Sequence, residues 1–126
     1  MNKRRRLKKE RNKADKLWKT GIRTEFCGKC AVCGSERLVN CHHLLPREMA
    51  EYRHQPINGI TLCPLHHKYS RLLSAHKNSL AFAVWLKDNH PSRWQWVQNE
   101  AKRIFEAGEA FKPHEPKKEQ EDGGVA

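Results

Sequence analysis

CAVCGSERLVNCHHLLPREMAEYRHQPINGITLCPLHH, residues 30–67, decides the fold, because most of the cysteines and histidines lie in it. Cys30-x-x-Cys33 opens the stretch and Cys63-x-x-His66 closes it, about thirty residues on, with His42 and His43 adjacent between them. Two such dyads form a tetrahedral Cys3His set suited to Zn2+, and four protein ligands leave that ion no open position for chemistry. The zinc is therefore expected to be structural. Cys27 offers a second C-x-x-C register with Cys30. Cys30 with Cys33 is preferred because Gly34, directly after the pair, permits the positive-φ turn of a zinc knuckle.

Working outward, Arg37 to Leu45 has strand-like composition and ends at Pro46. His42 and His43 would point to its opposite faces. Residues 46–57 read as a polar loop, and Asn58-Gly59 reads as a turn before a second strand, Ile60 to Leu62. Pro64 suits the first position of a helix expected to run to about Ser74.

This order resembles the HNH nuclease family with its ββα-metal fold, on four elements: CxxCG, then HH with an aliphatic pair and Pro, then N-x-x-x-L-C, then a closing His-His. The resemblance covers about residues 27–76. It implies that His43 is the general base, that Asn58 orients it, and that His42 and His67 hold a catalytic divalent ion (Mg2+, Mn2+, Co2+ or Ni2+). It also matches Cys30, Cys33, Cys63 and His66 to the structural zinc set. Many relatives place Asp where His42 stands and Cys where His66 stands. Some add a metal-binding His one turn beyond the position of His67, where this chain has Arg71. A two-ligand ion is therefore expected, with Arg71 and Lys68 free to meet phosphate.

The rest of the chain sets the partner. The net charge is +11 and the pI is near 9.7, which points to a polyanion. Residues 1–19 hold ten Lys or Arg, among them Arg4, Arg5, Arg6, Lys8 and Lys9, against Glu10 and Asp15. With little apolar content before Leu17 and Trp18, this segment reads as a disordered arm or frayed helix that contacts phosphates. Five cysteines and the lack of an apolar N-terminal run favour thiolate ligands in a reducing, cytoplasmic setting with no membrane partner.

After the site, Ser79 is read as the cap of a buried apolar helix, Leu80 to Leu86. Ser92 with Gln95 is read as the capping box of a second helix that packs on the first. Trp85, Trp94 and Trp96 read as core, and His76 as no more than the rim of the site. The expectation is an α+β chain: a basic arm at 1–20, a zinc-stapled nuclease domain with C-terminal helices at 21–111, and a disordered tail at 112–126. It would nick one DNA strand per site, with RNA the other possible substrate and the oligomeric state open. The alternative is a zinc-stapled nucleic-acid-binding module that does not cut.

Overall fold

The computed structural model describes residues 2–108; the expected tail at 112–126 and the last residues of the expected domain lie outside them. Their elements run α1 (Lys3–Glu25), β1 (Asn40–His43), β2 (Gly59–Leu62), α2 (Ser79–Asn89) and α3 (Pro91–Glu106). A 3₁₀ turn, Pro56–Asn58, precedes β2, and one π-helical turn, Leu65–Tyr69, follows it. No helix among the described residues is long and apolar enough to cross a membrane.

β1 and β2 pair antiparallel, with His42 opposite Ile60 and His43 opposite Gly59. Every residue of β2 is buried, whereas β1 is half-buried or exposed. Ile60 and Leu62 pack with Phe82 and Leu86 of α2 and with Cys30 and Cys63. Period-two alternation does the sorting: one side of the hairpin faces this core and the other faces α1.

The basic segment is a helix and not a disordered arm, and it runs straight through the boundary expected at residue 20. Two features override its charge repulsion. The Asn2 side chain caps the first turn by accepting the Arg5 N–H at 2.9 Å. Trp18 and Ile22, one turn apart, are buried against the hairpin and anchor the other end. Residues 3–13 remain exposed on every side.

Gly59 explains how α1 comes so close. It belongs to the strand and not to a turn, with an extended φ of −131°, so its lack of a side chain is a matter of space. A Cβ there would lie 2.5 Å from the Trp18 ring and 2.7 Å from Ile22.

Three other local expectations differ. The helix after Pro64 is a single turn, because Ser70 turns extended and its hydroxyl takes the N–H groups of Leu72 and Leu73. Asn78, and not Ser79, caps α2 by accepting the Ala81 N–H, and Leu80 and Val84 on that helix are exposed, so it is not buried all round. α3 starts from Pro91 with no side-chain cap, the proline supplying the helical φ in place of a capping box. α2 and α3 pack together, and Trp85 and Trp94 cover the core while Trp96 meets Tyr52 edge-on.

Gly59→Ala should push Trp18 and Ile22 off the hairpin, at about 1–3 kcal/mol of stability, while leaving bound zinc at the wild-type level. Thermal melts paired with metal analysis check this; an unchanged melting temperature would show that α1 does not need the bare backbone.

Candidate metal centres and the histidine cleft

The sulfur and nitrogen atoms of Cys30, Cys33, Cys63 and His66 converge within 4.8 Å of one another. Cys33 Sγ lies 3.8 Å from Cys63 Sγ, Cys63 Sγ lies 3.4 Å from His66 Nδ1, and Cys30 Sγ lies 3.9 Å from the same nitrogen. Thiolates at about 2.3 Å from a tetrahedral zinc stand about 3.8 Å apart, so this set fits that ion. Cys27 is exposed and outside the cluster. Gly34 takes φ +77° and donates its N–H to the Cys30 carbonyl at 2.8 Å, which closes the knuckle. Ala31 N–H donates to the Thr61 carbonyl and the Thr61 hydroxyl to the Lys29 carbonyl, which bind the knuckle to β2.

A second cluster lies beside it. His42, His67 and His76 bring their ring nitrogens together, His67 Nε2 standing 3.1 Å from both His42 Nδ1 and His76 Nε2. Three imidazoles bound at about 2.1 Å on one side of an ion have nitrogens about 3.0–3.4 Å apart, so the donor set fits a divalent transition metal. Burial, then the neighbouring imidazoles, pushes His42 down to about 3; burial, then His76 and Lys68, pushes His67 down to about 4. Both imidazoles are therefore neutral at physiological pH.

A third imidazole, His76, stands beside the two expected to hold the ion. His76 arrives because residues 70–76 fold back over the π-helical turn: Ala75 N–H donates to the His66 carbonyl and His76 N–H to the His67 carbonyl, at 2.9 and 2.8 Å. Buried Ser74 closes that loop, its hydroxyl donating to the Ser70 carbonyl at 2.7 Å. Nine residues separate His76 from His67, a distance that no helical or C-x-x-C spacing flags. Ser70 and Ser74, as turn formers, were the available signal.

His43 occupies the opposite face of β1. Its ring stacks on Trp18 at 4.0 Å with planes 8° apart, and Nε2 lies 3.0 Å from the Arg53 carbonyl. A carbonyl only accepts, so Nε2 carries the proton and Nδ1 keeps its lone pair. Burial holds this imidazole below its ordinary value, against the pull of the Arg53 carbonyl.

Asn58 does not touch that ring. Fully buried, it accepts the Leu45 N–H at 2.6 Å and donates to the Leu45 and Tyr52 carbonyls at 3.1 Å each. It fixes the 45–52 loop by satisfying backbone groups that have no strand partner. The hydrogen bond that the His43 ring does make is to the Arg53 carbonyl.

His42, His43 and His67 share one cleft of about 630 Å3, whose walls also carry Arg47, Lys68 and His76. Arg71 is exposed and does not line it, since its segment has already turned away, whereas Arg47 does line it. Arg4, Arg5, Arg6, Lys8 and Lys9 stand along the exposed turns of α1.

Residues 30–70 match the family model of the HNH endonuclease. Over these residues the chain is similar to that family. No curated protein and no solved structure matches the chain. The matched residues contain the zinc-type cluster, both strands and two members of the histidine trio, while His76 and all of α1 lie outside them.

The neutral histidines leave a mark on stability. A histidine whose folded pKa lies below the unfolded value of about 6.5 contributes stability that is present above that pH. The contribution is lost as pH falls toward the folded value, because the unfolded chain binds the proton first. With about 3 for His42 and about 4 for His67, the melting temperature of the zinc-loaded protein should fall between pH 7 and 5, and His42→Gln should flatten that slope. Parallel slopes for the two proteins would refute the buried neutral assignment.

Proposed function

We propose that this protein is a metal-dependent endonuclease that hydrolyses phosphodiester bonds in DNA, nicking one strand per encounter. The observation that carries the reading is the pairing, in one cleft, of three convergent neutral imidazoles with a fourth, His43, held in a single tautomer by a carbonyl. A binding module has no use for that fourth imidazole.

Phosphodiester hydrolysis needs a base for water, a cation at the phosphate oxygens and a fixed geometry between them. His42, His67 and His76 would hold the divalent ion, which supplies Lewis-acid stabilisation of the nonbridging and leaving oxygens. His43 Nδ1 takes the proton from the attacking water, and the imidazolium so formed stays hydrogen-bonded through Nε2 to the Arg53 carbonyl. Trp18 stacked beneath the ring keeps it from rotating as it charges. Arg47 and Lys68 in the cleft wall pair with phosphate oxygens.

The exposed turns of α1 extend the contact. Eight Lys or Arg within residues 3–13, spread around the whole helix, neutralise phosphates without reading bases. The Cys30, Cys33, Cys63 and His66 set, with zinc bound, keeps the hairpin in register and takes no part in the chemistry.

Wild type should nick supercoiled plasmid with at least one of Mg2+, Mn2+, Co2+ or Ni2+, and His43→Ala should lower the rate about 10²–10⁴-fold with zinc content and DNA affinity unchanged. Binding without cleavage in all four metals would favour a non-cutting nucleic-acid module on the same scaffold.

A further inference from the structure

α1 does more than present positive charge, because its middle turns grip the segment that leads into β2. Asp15 Oδ1 and Oδ2 each accept a hydrogen bond from the Arg53 guanidinium at 2.9 Å, and Oδ1 lies 2.7 Å from His54 Nε2. One turn on, the Trp18 indole N–H donates to the Gln55 carbonyl at 2.8 Å. Residues 53–55 are thus tied to one face of α1, and the first of them supplies the carbonyl that takes the His43 Nε2–H.

We propose that Asp15 is a positioning residue for His43, acting through Arg53: it moors the carbonyl that decides which ring nitrogen bears the proton and where the free one points. The proposal rests on the reading of His43 as general base.

Four observations favour this role over that of an ordinary surface ion pair. Exposed pairs contribute little, but the Asp15 and Arg53 side chains are only 23% and 17% exposed and meet through a two-pronged fork. Asp15 is also one of two acidic residues in a segment with ten basic ones, so it weakens phosphate attraction where it stands. Its carboxylate is held well below the ordinary range, chiefly by the hydrogen bonds from Arg53, so the mooring is charged at any working pH. Finally, the same guanidinium donates to the Arg47 carbonyl at 3.3 Å, so the fork joins both ends of the loop that walls the cleft.

A purely structural Asp15 would fasten α1 to the body, and its loss would appear in DNA affinity and melting temperature. A positioning Asp15 appears in turnover, since a base displaced by a fraction of an ångström or present in the wrong tautomer fails in the reacting complex and not in binding. The experiment compares full-length, zinc-loaded wild type, Asp15→Asn and Asp15→Glu by nicking kinetics on duplex DNA and by 15N NMR of the His43 ring. We expect Asp15→Asn to lower kcat about tenfold with KM within about twofold of wild type, and Asp15→Glu to recover kcat to within about threefold. The ring should pass from one Nε2–H tautomer to a mixture in Asp15→Asn. An unchanged kcat, or a loss confined to KM, would overturn the proposal. If wild type cuts with none of the four metals, the nuclease reading falls alone and the ring spectrum decides: a tautomer mixture in Asp15→Asn upholds the mooring, and a single tautomer overturns it.

Discussion

Convergence of Cys30, Cys33, Cys63 and His66 on one point is the constraint on which the rest depends. Two four-residue strands do not form a stable hairpin in water unaided. Among the described residues, and apart from Cys30 and Cys63, the buried apolar side chains are Trp18, Ile22, Leu45, Tyr52, Ile60, Leu62, Phe82 and Leu86. A core of that size supplies a few kcal/mol at most. A structural zinc in such a set is worth on the order of 10 kcal/mol, which decides the matter in favour of the ligand cluster. Because His66 and His67 are adjacent, closing that cluster also delivers His67 to the neighbouring trio.

The hairpin then does two jobs through strand alternation. His42 and His43 are consecutive, so one faces His67, His76 and Phe82 while the other faces Trp18. A one-residue slip in register would exchange them. Three features oppose a slip: Gly59 admits only the bare backbone opposite His43, Ile60 and Leu62 are wholly buried, and Asn58 pins the loop by three hydrogen bonds. The matched segment thus carries its register in its own sequence, and α1 reads that register from outside.

Much of this was legible in the residues. The two dyads, Gly34 after the first, and the alternation of His42 and His43 are local patterns, and local patterns survive folding. What stayed hidden depends on the return of the chain. His76 becomes a neighbour of His67 only because Ser70 and Ser74 reverse the backbone. The partner of His43 is a main-chain carbonyl, a group every residue owns, so no side-chain pattern could single out Arg53. Gly59 carries two meanings, turn former and bare strand position, and only the approach of Trp18 selects the second. For the basic segment, charge leaves a disordered arm and a frayed helix both open, and the Trp18 and Ile22 stripe that docks it selects the helix.

The two clusters propose two neighbouring metal centres of different chemistry, one closed by sulfur and one open on three imidazoles. Anomalous scattering from crystals of the zinc-loaded protein soaked in cobalt is the decisive test. A zinc peak is expected among Cys30, Cys33, Cys63 and His66, and a cobalt peak bound by His42, His67 and His76 together. Cobalt found elsewhere, or held without His76, would contradict it.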